Sequence, residues 1–130
     1  MILIFGGAYQ GKLSYALDRF GLTMDDVYEC SNGNTEIPAA KKIIYRFDKW
    51  IEALVKNGID TETAIKQFIN APGDSHNDSI VICDDISCGV VPPDPVMRAW
   101  REAVGRSLAA LSQQSCEVIR LFCGIPSRLK

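Results

Sequence analysis

Apolar residues fall along the chain in two periods. Met1-Ile2-Leu3-Ile4-Phe5, Ser79-Ile80-Val81-Ile82-Cys83 and Glu117–Cys123 are short apolar runs bounded by glycine or carboxylates, and each predicts a buried strand, the last ending at Gly124-Ile125-Pro126. Between them the apolar positions recur at helical spacing. Leu13, Ala16, Leu17 and Phe20 predict a helix over Lys12–Phe20, with Gly21 as its stop. Ile43, Ile44, Phe47, Trp50, Ile51, Leu54 and Val55 predict a second over Lys42–Asn57, closed by Gly58 and packed on the sheet. A shorter third, capped by Asp60, carries Ala64, Ile65, Phe68 and Ile69. Asp94 as cap and Pro95 as first helical residue open the longest helix, with a predicted buried stripe of Val96, Ala99, Trp100, Ala103, Val104, Leu108 and Leu111. Asp26–Cys30 is a short candidate strand, and Ser31-Asn32-Gly33-Asn34 is a turn. Alternation of strands and helices predicts an α/β fold: a mainly parallel sheet, helices on both faces, and a ligand at the strands' carboxyl ends.

The first strand runs straight into Gly6-Gly7-Ala8-Tyr9-Gln10-Gly11-Lys12-Leu13, which fits the phosphate-loop template G-x-x-x-x-G-K-[ST] at every fixed position except the last. Glycines at both ends let the loop curl around an anion, and the helix that starts there presents free N–H groups and its positive dipole end. Lys12 is placed for the β- and γ-phosphates. Leu13 stands where a hydroxyl would ligate Mg²⁺, which weakens the metal's hold. Ser14 is one residue on, a rotation of about 100°, so its hydroxyl is a candidate for the α-phosphate instead. The site expected from these residues is therefore Gly6, Gly7, Ala8, Gly11, Lys12, Leu13 and Ser14. Asp84 and Asp85 end the strand expected beside the first, where an acid faces the metal and the γ-phosphate, so both are candidate catalytic and metal-binding residues. The fold this implies is a single-domain (1–130), three-layer sandwich like that of P-loop NTPases.

Composition narrows the picture further. With 130 residues, 47% hydrophobic and 23% charged, the chain reads as one ordinary globular domain. A formal net charge of −2 and scattered basic residues give no nucleic-acid footprint. The apolar runs are too short for a membrane span, and a cytoplasmic protein is expected. Five cysteines without a C-x-x-C pair predict neither a disulfide framework nor a zinc site, and Cys83 and Cys123 read as small core residues. The single histidine, His76, lies in the polar loop Ala71–Asn77 between Asp74 and Asp78. Metal binding or acid–base work is open to it there, but a surface histidine is the expectation. Arg106 follows Gly105, where a missing side chain admits another backbone or a ligand.

Three motifs resemble a known family, the bifunctional adenosylcobinamide kinase and adenosylcobinamide-phosphate guanylyltransferases. Family members open with a strand and G-G-A-R-S-G-K-S, similar to Gly6–Leu13 here. Their N-E-V-G-x-G-I-V-P and R-x-F-R-D-x-x-G-R are matched in spacing by Asp84–Pro92 and by Arg98–Arg106, followed by a strand and Gly124-Ile125-Pro126. The resemblance covers the two ends and leaves out the middle. It implies that Lys12 grips nucleotide phosphates, that Asp85 stands at the family's acidic position, and that Arg101 and Arg106 belong to the nucleotide site or to a subunit interface. It further implies ATP or GTP with Mg²⁺, a corrinoid acceptor (adenosylcobinamide) and a homo-oligomer. The family's transferase step uses a guanylylated histidine ahead of the middle of the chain. None precedes His76, so that step is expected to be absent. The alternative class is a non-catalytic relative acting as a nucleotide-binding or interaction subunit.

Overall fold

The structure, a computed structural model, describes residues 1–31, 33–73, 76–87 and 89–130. Asn32 of the predicted turn, Asp74 beside His76 and Cys88 of the Asp84–Pro92 block lie outside the described residues. The strands are β1 (Ile2–Gly6), β2 (Val27–Glu29), β3 (Ile43–Tyr45), β4 (Ile80–Asp84), β5 (Glu117–Phe122) and β6 (Ile125–Arg128). The helices are α1 (Lys12–Phe20), α2 (Phe47–Lys56), α3 (Thr61–Ile69) and α4 (Pro95–Gln114). Among the described residues the strands form a single sheet in the order β2-β3-β4-β1-β5-β6, parallel throughout except for β6, which pairs antiparallel to β5. The expected α/β sandwich is what forms.

Two apolar layers hold it. On one face Leu3, Ile44, Val81, Cys83 and Val118 pack against Phe47, Trp50, Ile51 and Leu54 of α2, Ile65 and Phe68 of α3, and Val104, Leu108 and Leu111 of α4. On the other, Ile4, Ile43, Ile80, Ile82, Ile119 and Leu121 pack against Ala16 of α1, with Leu13, Leu17 and Phe20 at its margin. Alternate strand residues thus serve opposite faces, as a parallel sheet covered on both sides requires. Each fully buried branched side chain contributes about 1.5–3 kcal/mol of transfer free energy.

Several expectations are corrected. The predicted Lys42–Asn57 helix is two elements: Ile43–Tyr45 is a strand paired to β2 and β4, and helix begins only at Phe47. Ile43 and Ile44 face opposite sides of the sheet, which a helical stripe could not do. Between them and α2, Arg46 turns the chain with φ 59° and ψ 49°. The stripe of α4 starts later than predicted, since Val96 and Ala99 are exposed and burial becomes continuous at Ala103 and Val104. The cap is as expected, with Asp94 Oδ1 accepting from the Val96 N–H at 2.9 Å. The chain does not end its sheet at Gly124: Cys123 (φ 53°) and Gly124 (φ 74°) make a tight turn into β6, and Cys123 is exposed, not core.

His76 is likewise no surface residue. It is 7% exposed and stacks on Phe68 with ring centroids 4.3 Å apart, and its Nδ1 has no hydrogen-bond partner among the described residues. Burial alone holds its pKa below the usual histidine value. Among the described residues no helix is long and apolar enough to cross a membrane.

Candidate functional site

The loop after β1 is shaped by two glycines. A Cβ on Gly6 would stand 2.3 Å from the Leu121 carbonyl oxygen of β5, so only glycine lets the strand end lie this close to its neighbour. Gly11 adopts φ 79° at the N-cap of α1, with no side chain over the helix's free N–H groups. Gln10 ties the loop to the β5–β6 turn by accepting the Cys123 N–H through Oε1.

Lys12 folds under this loop. It is 4% exposed, donates to the Gly7 carbonyl at 2.6 Å and lies 2.6 Å from Asp84 Oδ1. Asp84 is the last residue of β4, which pairs with β1 in the register Gly6↔Asp84, so the adjacency of the two strands brings the carboxylate to the loop. The Asp84 N–H donates to Asp48 Oδ1 at 3.1 Å, and the Asp48 carbonyl accepts from Trp100 Nε1 at 2.8 Å. Asp48, in the first turn of α2, is 1% exposed, and burial pushes its pKa above the ordinary carboxylate value.

A cleft of about 430 Å³ opens above the Lys12–Asp84 pair, lined by residues 8–14, by Asp84 and by Tyr45 and Arg46 from the end of β3. It lies at the carboxyl ends of parallel strands, where ligands bind in open α/β sheets. Ala8, Gly11, Lys12, Leu13 and Ser14 line it together. Leu13 is half-buried and packs with the Ile4, Ala16 and Ile82 cluster, while Ser14 is exposed.

Other expected site residues are engaged elsewhere. The Asp85 N–H donates to the Gly6 carbonyl at 2.8 Å, and Asp85 Oδ1 accepts from Ser87 N and Oγ at 3.0 and 2.5 Å. Arg101 holds the same segment, donating from Nε to the Ser87 carbonyl at 2.9 Å and from Nη2 to the Gly89 carbonyl at 2.7 Å. A Cβ on Gly105 would meet Ser87 Cβ at 3.3 Å, so the bare backbone there admits this segment. Arg106 is exposed, pairs with Glu102 at 2.6 Å and lines a groove between α3 and α4 instead of the cleft. Asp85 and Arg101 therefore shape the turn after β4, and Arg106 stands apart from Lys12.

Tyr45, Arg46 and Asp48 had no signal in a segment whose spacing fits a helix. The β-branched pair Ile43-Ile44 followed by Tyr45 was the available hint of a strand. Burial raises the Tyr45 pKa, with Asp84's charge adding to it. Burial also pushes the Cys30 thiol up to about 12 and that of Cys83 well above its usual value, which removes both as nucleophiles.

Among the described residues no three His, Cys, Asp or Glu side chains come together as a metal cage. Asp84 offers one partly exposed carboxylate at the cleft floor, which fits Mg²⁺ held by one or two carboxylates with phosphate oxygens and water. Leu13 adds no oxygen.

A family model described as cobinamide kinase / cobinamide phosphate guanyltransferase matches residues 41–129. The match begins after the phosphate loop and runs through β3, α2 and α3, the middle that carries none of the quoted motifs, to the end of β6. No curated protein matches the chain.

Proposed function

The chain belongs to the cobinamide kinase / cobinamide phosphate guanyltransferase family, whose role lies in cobalamin biosynthesis, and from that premise we propose that it is a kinase transferring the γ-phosphoryl group of ATP or GTP to a corrinoid hydroxyl. The observation that carries the reading is the Lys12–Asp84 pair at 2.6 Å beneath a glycine-bounded loop at a helix N-terminus. A triphosphate entering the cleft meets the loop N–H groups, and Lys12 swings its ammonium from the Gly7 carbonyl to the β- and γ-oxygens. In the transfer, the bond from the γ-phosphorus to the bridging oxygen breaks while one forms to the acceptor oxygen, whose proton leaves to a carboxylate or to water. Asp84 is the carboxylate on the cleft. Mg²⁺, when bound beside it, would neutralise phosphate charge.

The guanylyl step is absent in this reading. His76 precedes β4 in the chain, is stacked against Phe68, and does not line the cleft. Residues 1–130 act as one nucleotide-binding unit, and assembly into a homo-oligomer belongs to the same proposal.

Calorimetric titration of ATP and of GTP, with and without Mg²⁺, into the wild type and Lys12→Ala tests the first half. Binding that depends on Lys12 and strengthens with Mg²⁺ is the expected result, and phosphorylation of adenosylcobinamide is the second. Binding without any transfer supports the other reading, a non-catalytic nucleotide-binding subunit, which the burial of Leu13 at the metal-ligand position favours. If neither nucleotide binds, both fall.

A further inference from the structure

The β3–α2 turn contributes a residue that no motif assigns. We propose that Arg46 contacts the terminal phosphates of the bound nucleotide, from the wall of the cleft opposite the loop, and makes the site selective for triphosphates. This rests on the nucleotide-binding reading above.

Charge balance motivates it. A nucleoside triphosphate brings about four negative charges, whereas Lys12 is already neutralised by Asp84 at 2.6 Å and Leu13 gives the metal no ligand. Arg46 is the other cation lining the cleft. Among the described residues, every other arginine has a partner. Arg19 pairs with Glu117, Arg106 with Glu102 and Arg128 with Glu117; Arg98 and Arg101 donate to backbone carbonyls; Arg120 lies over the Phe122 ring. No hydrogen bond or ion pair joins the guanidinium of Arg46 to a described residue, and its charge opposes the burial that raises the pKa of both Asp48 and Tyr45.

The backbone supports the same assignment. Arg46 sits in the left-handed region, φ 59° and ψ 49°, which is strained for a residue with a Cβ and would suit Asn or Gly better. The turn is also fixed relative to the rest of the site. The Arg46 carbonyl accepts the Lys49 N–H at 2.9 Å, and Asp48 two residues on binds the Asp84 N–H at 3.1 Å. Strands β3, β4 and β1 are neighbours, so Arg46, Asp84 and the loop stand at three successive strand ends, about 10 Å from first to last. An extended arginine side chain spans much of that gap. Its planar fork then binds phosphate oxygens bidentately, which the point charge of a lysine cannot do.

The test titrates ATP, ADP and AMP, and GTP, GDP and GMP, each with Mg²⁺, into the wild type, Arg46→Ala, Arg46→Lys and Arg46→Asn. Arg46→Asn suits the left-handed backbone, so it keeps the fold intact if Arg46→Ala does not. The expected result is triphosphate binding about 10- to 100-fold weaker in the Ala and Asn variants, monophosphate binding within about twofold of wild type, and only partial recovery with Lys. Loss that depends on Lys12 but not on Arg46, or equal losses for triphosphate and monophosphate, overturns the proposal while leaving nucleotide binding intact. A wild type that binds no nucleotide overturns the underlying reading as well.

Discussion

Replacing Lys12 by Met and Asp84 by Asn, singly and together, separates what the buried pair does for the fold from what it does for the ligand. The ammonium and carboxylate are 2.6 Å apart, with side chains 4% and 16% exposed. At an effective dielectric constant of about 20 their gross attraction is roughly 6 kcal/mol, and desolvation of both groups offsets most of it. Removing one partner of a well-buried pair costs about 3–5 kcal/mol. Asp84 opens onto the cleft and recovers some hydration, so Lys12→Met should cost about 2–3 kcal/mol. Asp84→Asn leaves the buried ammonium with the Gly7 carbonyl and a neutral amide oxygen in place of the carboxylate, and should cost about 3 kcal/mol. The double variant removes both charges and should return to within about 1 kcal/mol of wild type, a coupling of roughly 4 kcal/mol. Urea denaturation of the four proteins measures this, while titration of nucleotide should show that the double variant does not recover binding. Additive single-variant losses would mean that the pair is not formed in solution, and recovered nucleotide binding would refute the role given to Lys12.

Three further perturbations follow from the same geometry. Gly6→Ala places a Cβ 2.3 Å from the Leu121 carbonyl, so β1 and β5 must part; a loss of about 3 kcal/mol or more in denaturant unfolding is expected, and a loss under about 1 kcal/mol would contradict the close approach. Because burial depresses the His76 pKa, the unfolded chain takes up a proton below about pH 6.5 that the folded chain refuses. Its share of stability is therefore full above that pH and is lost as pH falls; His76→Phe, which keeps the stack, should flatten the thermal-stability slope between about pH 6.5 and 5, and an unchanged slope would reject the assignment. Leu13→Ser removes a half-buried side chain from the α1 layer, costing about 1–2 kcal/mol, and adds a hydroxyl at the metal position. Tighter Mg²⁺-dependent binding with faster transfer is expected of a weakened enzyme, and a binding-only subunit would gain no turnover.

How much of this was legible in the sequence follows from which interactions are local. The loop, α1 and the cap of α4 are set by glycines, a lysine, an Asp and a Pro within a few residues of where they act, and all three formed as read. The β3 segment was not legible because Ile43, Ile44 and Phe47 satisfy a helical period just as they satisfy a two-faced strand followed by a helix. Only pairing with β2 and β4, from residues 27–29 and 80–81, decides between them. That single misreading hid Tyr45, Arg46 and Asp48 together. The burial of His76 was hidden for a related reason: the apolar face that includes Phe68 is legible, but the stacking of His76 on it is a tertiary contact that no local pattern shows.

The family match and the phosphate loop cover different parts of the chain, and the physics of the site accounts for the division. An anion cradle built from backbone N–H groups demands little of side chains: glycine at two points, a helix N-terminus and one lysine. Residues 6–12 meet those demands although the family match starts only at residue 41, so the loop keeps its geometry where the surrounding side chains carry little family signal. The matched stretch holds the parts that do depend on side chains. In it Asp48 binds the Asp84 backbone, Trp100 binds Asp48, and Arg101 with Asp85 holds the turn after β4. These contacts hold the Asp84 carboxylate beside Lys12 and fix the turn that carries Arg46, which lines the same cleft. In the proposed function the loop supplies a general grip on phosphate, and the β3–α2 and β4–α4 connections decide what that grip is used for.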